Sequence, residues 1–290
     1  MKRLFKSYKG RQILNDIHIS IDEPQIIALV GPNGSGKTTL LDCMTGLVRP
    51  DQGSIELLGK DPSDPTLYYD VSYLQDNRVL YEDLTGYEHL YFICRMQKQP
   101  LSQVQQVIDK LDIATYMDKK VKNYSLGMKQ HLLLAIAIIN NPKLLILDEP
   151  LNGMDPSNSI NVRNLLLDLY ENGTTIILSS HNLDEIDRLT NDIFFLKDGE
   201  LLKESIEDLA AEYYFISVQD MSKAKEALNS FHHQTMTFEQ DSIQVKSNDV
   251  DLHSVLQRLV EFEVNILDIK KRKTGAKIRY QELYGGVSLP

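Results

Sequence analysis

Three short apolar runs interrupt an otherwise mixed chain: Ile26–Val30, Leu144–Leu147 and Ile176–Leu178. None alternates with polar residues, and an unbroken run of this length predicts a strand covered on both faces, as in a parallel sheet. Each run leads into a helical pattern. After the first, Leu40, Leu41, Met44 and Leu47 recur at helical spacing, and Gly46 with Pro50 marks the stop. After the second, a helix is expected over 156–170, closed by Gly173. After the third, a short helix follows, then a hairpin turning at Asp198-Gly199. Between the first two runs lie a turn, a short strand and a second turn at Gly59. From about Leu80 to Asn140 the pattern becomes mainly helical, ending in the long apolar helix that begins near Leu126. The pattern predicts an α/β core, its strands parallel, with a helical block inserted over about 76–140.

Past Glu204 the pattern changes. Strands are expected around Tyr214–Val218, Ser242–Ser247 and Val264–Lys271, with helices around Ser222–Phe231 and Asp251–Phe262 between them. That predicts two domains, 1–204 and 205–290, the second a small α+β unit. No repeat and no low-complexity segment is visible.

Composition narrows the setting. The 290 residues are 42% hydrophobic and 25% charged, with a formal net charge of −10. An acidic chain argues against general nucleic-acid binding. No apolar run approaches the roughly 20 residues of a membrane helix, and the opening residues lack the apolar core of a secretion signal. Cys43 and Cys94 lie far apart, as expected of a reduced, cytosolic chain. The basic run Lys270–Lys273 reads as a solvated strand end rather than a lipid contact.

The segment between the first strand and its helix carries the chemistry. It reads Gly31, Pro32, Asn33, Gly34, Ser35, Gly36, Lys37, Thr38, Thr39, matching G-x-x-x-x-G-K-[ST] in its strand–loop–helix setting. The glycines let successive N–H groups curl around a phosphate, and the helix start adds its free donors. Lys37 would reach the β- and γ-phosphates, Thr38 would offer its hydroxyl to Mg²⁺, and Thr39 would donate lower on the phosphate chain. The loop alone leaves kinases, GTPases and motors open. The second strand ends in two carboxylates: Asp148 suits Mg²⁺, and Glu149 could polarise an attacking water. Ser125 is a good N-cap, and Gly127 leaves a backbone N–H open to an anion, so the helix start there is a second phosphate site.

The stretch from Tyr124 through Ser125, Leu126, Gly127 and Met128 to Asp148, Glu149, Asn152, Gly153, Met154, Asp155 and Pro156 resembles the defining region of ATP-binding cassette (ABC) ATPases. The resemblance covers most of residues 1–204. It implies that Tyr124–Met128 is the signature, that Asp155 lies in a loop facing a partner subunit's site, that His181 is a switch histidine at the γ-phosphate, and that Tyr8 stacks on adenine. The fold implied is a P-loop NTPase of the ABC ATPase type. ATP and Mg²⁺ are the implied cofactors, held between two ATP-binding subunits, identical or paralogous, arranged head to tail.

Departures also count. Leu126 replaces the first glycine of the signature pair and Met128 its glutamine, leaving Ser125 and the backbone near Gly127 for the partner contact. The glutamine that links ATP to the helical block falls at Gln75 by its apolar lead-in, or at Asp76 by counting back from Leu80–Thr85. Amide chemistry, reaching both Mg²⁺ and water, favours Gln75. The opening strand is expected to be trimmed relative to the family's. A transmembrane permease is the implied partner, which would put the chain on the cytoplasmic face of the membrane. Tyr81 and Tyr87 suit the permease-binding groove, whereas Tyr91 and Phe92 are expected to pack inside the helical block. The layout is similar to bacterial ABC-2-type exporters of drugs, antimicrobial peptides or lipids, so export is favoured over import. The alternative is a soluble ABC ATPase acting on ribosomes or nucleic acid.

Overall fold

The computed structural model describes residues 1–75, 77–209, 212–229, 231, 236–238, 242–247, 251–273 and 275–285. The chain divides into two compact units: Met1–Glu204, joined by the end of the last helix from Leu283, and Ser205–Glu282.

In the first unit the elements run β1 (Lys2–Tyr8), β2 (Arg11–Ile17), β3 (Ile26–Val30), α1 (Lys37–Met44), β4 (Gln52–Ser54) and β5 (Val71–Leu74). They continue with α2 (Gly86–Met96), α3 (Ser102–Leu111), α4 (Leu126–Ile138), β6 (Leu144–Asp148), α5 (Pro156–Glu171), β7 (Thr175–Ser179), α6 (Leu183–Leu189), β8 (Asp192–Lys197) and β9 (Glu200–Ser205). The central sheet has the order β5-β6-β7-β3-β8-β9. β5 through β8 pair parallel, and β9 closes the edge after the turn at Asp198 (φ 52°) and Gly199 (φ 84°).

The unbroken apolar runs follow from burial on both faces. Leu145 and Leu147 of β6 face a cluster built with α2, α3, α4 and α5, while Leu144 and Ile146 face α1 and the β1–β2 hairpin. The opening strand is not trimmed: β1 spans seven residues and pairs with both β2 and β4. Its run KRLFKSY sends only Leu4 fully into the core, too sparse a signal to read beforehand.

Between β5 and β6 stands a helical block. α2 starts with a reciprocal cap, Thr85 accepting from Glu88 N while Glu88 accepts from Thr85 N. Its inward residues Gly86, His89, Leu90 and Cys94 keep the helical period. Tyr91 and Phe92 therefore point away, 41% and 54% exposed, contrary to the expectation that they pack inside the block. α4 is buried nearly all round, so its two buried polar side chains need partners: Gln130 donates to the Glu149 carbonyl at 3.3 Å, and His131 Nδ1 lies 3.2 Å from Tyr116 Oη. Burial pushes the His131 imidazole below its usual pKa.

The second unit contains α7 (Ile206–Leu209), β10 (Glu212–Val218), α8 (Met221–Ala227), β11 (Met236–Phe238), β12 (Ser242–Lys246), α9 (Leu252–Glu261), β13 (Ile266–Lys273) and most of α10 (Ala276–Tyr284). Its sheet, order β11-β12-β10-β13, is antiparallel throughout. Ile216, Val218, Ile243 and Val245 pack on α8 and α9. Lys270 and Lys271 of the basic run are paired with Asp268 and Glu212 at 2.6 Å each. The far end of α10 belongs to the first unit, where Tyr284 donates to the Leu196 carbonyl at 2.9 Å.

Candidate nucleotide site

The site sits where three neighbouring strands end. In the order β6-β7-β3, Asp148 pairs with Ser179, and Ser179 pairs with Leu29 two residues before the loop. Parallel strands thus deliver a carboxylate, a hydroxyl and a glycine loop to one rim, where open α/β sheets bind ligands. A cavity of about 400 Å³ opens there, lined by Tyr8, Ile13, Asn33, Gly34, Gly36, Lys37, Thr38, Thr39, Asp148, Glu149 and Asn152.

The loop's shape depends on its glycines. Gly36 has φ 108°, and a Cβ there would lie 2.7 Å from Ile13 Cγ2. Within the loop Ser35 Oγ is buried without a hydrogen-bond partner, a polar orphan of the kind that ligand sites leave. Lys37 is folded back, its Nζ donating to Gly31 O at 2.7 Å and Pro32 O at 3.2 Å. Burial lowers the Lys37 pKa, an effect opposed by the Glu149 and Asp148 carboxylates.

Thr38 Oγ1 donates to Asp148 Oδ2 at 2.7 Å, so hydroxyl and carboxylate already converge. Ser179 Oγ donates to Asp148 Oδ1 at 2.5 Å and accepts from Glu149 N at 2.9 Å. His181 Nδ1 lies 2.8 Å from Glu149 Oε2, and the His181 backbone N donates to the same oxygen at 3.3 Å. Glu149 adopts φ 49°, a conformation a side chain other than glycine holds at some cost and one that clusters at working sites. Among the described residues no group of three or more His, Cys, Asp or Glu could hold a metal. The oxygen donors of Thr38 and Asp148 fit Mg²⁺, which is commonly bound by one or two carboxylates together with substrate phosphates and water.

The signature residues stand apart from this cavity. Ser125 Oγ accepts from Met128 N at 3.2 Å and caps α4. Leu126, 49% exposed, lies against Gly153: a Cβ on Gly153 (φ 75°) would come within 2.3 Å of Leu126 Cδ2, and Gly127 faces the Gly153 carbonyl. Asp155 caps α5, accepting from Ser157 N and Asn158 N at 3.0 Å each. Hydrogen bonds led by that from Asn158 N hold its carboxyl below the usual carboxylate range. None of Ser125–Met128 or Asp155 lines the cavity.

Gln75 lines a second cavity of about 260 Å³, with Thr45, Leu47, Tyr68, Ser72 and Ile93 among its walls. Asp76 lies outside the described residues. Reading the sequence missed Ser179, which holds the Asp148 carboxylate and the Glu149 backbone N–H, and Gln130, which holds the Glu149 backbone carbonyl. For Ser179 the signal was present, a serine ending the apolar run beside the acidic strand.

An α/β sheet whose strand ends gather a phosphate loop, a hydroxyl–carboxylate pair and a glutamate–histidine pair defines a P-loop nucleotide-binding ATPase. The family model described as "ABC transporter" matches residues 14–152. The lantibiotic transport ATP-binding protein SrtF of Streptococcus pyogenes is 37% identical over 70% of this chain and 89% of its own length. The bacitracin transport ATP-binding protein BcrA of Enterococcus faecalis is 32% identical over 98% and 96%. A solved ATP-binding subunit of an ABC transporter superposes with a TM-score of 0.67 at 26% identity, covering 72% of this chain and 90% of that one. This chain belongs to the ABC transporter ATP-binding proteins. It is the ATP-binding, ATP-hydrolysing subunit of a membrane transporter, in a family whose members work with transmembrane permease subunits. Among the described residues no helix is long and apolar enough to cross a membrane.

Proposed function

We propose that this chain powers export of an amphipathic antimicrobial compound by clasping ATP between two subunits. In each subunit the Gly31–Thr39 loop and Lys37 hold the phosphates and Tyr8 stacks on adenine. The Ser125–Met128 tip and Asp155 complete the partner's site, head to tail. The reading is supported most by one observation: the Glu149–His181 contact of 2.8 Å beside Asp148. Glu149 takes the proton from the attacking water, and His181 orients Glu149 and meets the γ-phosphate. Thr38, Asp148 and Gln75 would hold Mg²⁺, which would draw off charge developing on the phosphates. For Gln75 the support is register: Leu74 pairs with Leu147, so the next residues along are Gln75 and Asp148. The separation of the Ser125–Met128 tip from the cavity supports sharing between subunits.

The second cavity, with exposed Leu47 and Tyr68 in its lining, offers an aromatic anchor of the kind that dominates interface energetics. In this reading it faces the permease, and the chain lies at the cytoplasmic face of the membrane. The likeness to lantibiotic and bacitracin transport subunits supports the substrate class. Full-length tagged protein drawn from its own cells' membranes should bring a polytopic membrane protein with it. Hydrolysis by that complex should rise when bacitracin or a lantibiotic is added. Recovery with ribosomes or nucleic acid instead would favour the soluble alternative.

A further inference from the structure

We propose that the Arg163–Glu185 ion pair is a positioning element for hydrolysis, fixing the turn that carries His181 relative to the helix that follows Asp155. The inference rests on the reading of Glu149 and His181 as the hydrolytic pair. His181 belongs to no helix or strand; it lies between the end of β7 and the start of α6. Its placement against Glu149 therefore depends on how α6 is held. Asn182 caps α6, its Oδ1 accepting from Glu185 N at 3.4 Å, while Asn182 N donates to Ser180 Oγ at 3.0 Å. Leu183, Ile186 and Leu189 bury one side of the helix. Apolar packing sets how deep that short helix sits but is non-directional, so it leaves rotation and small slides cheap.

Glu185 supplies the direction. Its Oε2 accepts from Arg163 Nη1 at 2.7 Å, and its Oε1 faces Arg188 Nη1 at 3.4 Å. The Arg163 and Glu185 side chains are 16% and 13% exposed, whereas Arg188 is 61% exposed. The Arg163 contact is thus short, charge-assisted and shielded, and the Arg188 contact is a rim pair of little weight. Arg163 stands on α5, the helix capped by Asp155. One bond consequently ties two helices whose starts carry Asp155 and His181. Neither partner lines the cavity at the glycine loop, so neither touches ATP there. Two apolar side chains would join the helices about as firmly; a charged pair adds a preferred geometry. A mis-set His181 would leave the γ-phosphate bound and the attacking water poorly aligned, and a displacement of about 1 Å can cost ~100-fold in rate.

The test is a double-mutant cycle on the full chain. Glu185→Gln and the apolar pair Arg163→Met with Glu185→Met are each made with His181 present and with His181→Ala, and kcat and KM for ATP are measured, by single turnover where rates are low. With His181 present, both changes should lower kcat by about tenfold or more while KM stays within about twofold. With His181→Ala, the same changes should cost less than about twofold further, because the group being positioned is gone. Equal losses in both backgrounds would overturn the inference, as would unchanged kcat in the folded double variant. A double variant unfolded where the parent chain is folded would also overturn it, by showing the pair to be structural. Hydrolysis unaffected by His181→Ala alone would instead sink the underlying reading of the Glu149–His181 pair.

Discussion

Lys37→Ala is expected to cut ATP hydrolysis by about 100-fold or more, equivalent to roughly 3 kcal/mol, the usual loss when one preorganised donor to a developing negative charge is removed. The loop that surrounds Lys37 is built for it. Gly36 turns the chain with no room for a Cβ, and Ser35 keeps an unpartnered hydroxyl inside the turn. The ammonium lies on the Gly31 and Pro32 carbonyls, two residues that begin the same loop. A phosphate entering the loop would offer Nζ a full negative charge in place of two neutral carbonyls, which favours the exchange. The Gly31 contact is buried and the Pro32 contact part-buried, but Lys37 lines the open cavity, so its truncation admits water to the freed carbonyls; the alanine variant should fold, and circular dichroism should match the parent chain. Phosphate release near the parent rate from the folded variant would contradict the assignment.

Glu149→Gln should lower turnover by a further class of effect, loss of proton acceptance, worth about 100- to 10,000-fold. The amide keeps the shape of the carboxylate and can still accept from the His181 backbone N–H. ATP binding should survive while hydrolysis stops, so ATP with Mg²⁺ should hold the variant as a dimer in gel filtration. In the proposed cycle, a dimer that forms with ATP is the state from which hydrolysis releases the subunits. Monomers only under those conditions, or turnover near the parent rate, would count against Glu149 as the base.

Much of this site was legible because its chemistry restricts residue type and spacing together. A phosphate loop needs its glycines, lysine and threonine in one order, and a doubly buried strand ending in Asp148 and Glu149 can present them only at a sheet rim. The three apolar runs that opened the reading are β3, β6 and β7, the strands that converge there. What escaped were contacts between segments far apart in sequence. Gln130 supports Glu149 from α4 across 19 residues, and nothing in the local pattern marks one glutamine in an apolar helix as facing a backbone carbonyl. The strands of the β1–β2 hairpin carry few buried residues each, so the alternation is too brief to read. Tyr91 and Phe92 misled for a simpler reason. Aromatic character favours burial, but the α2 period set by His89, Leu90 and Cys94 turns those two rings outward. Leu126 shows the reverse: a departure from the family's glycine proves to be the side chain that packs against Gly153.

Sharing of ATP between subunits is tested most directly by mixing two dead proteins. Lys37→Ala disables the loop of its own subunit, and Ser125→Asp places a charge at the helix tip that would meet the partner's phosphate. In a mixed head-to-tail dimer both defects fall in one site and the other site is intact. Equimolar mixing should therefore restore hydrolysis to up to roughly a quarter of the parent rate, since about half of such twofold dimers are mixed. Hydrolysis that stays at the level of the separate variants, with mixed dimers demonstrably present, would contradict the shared site.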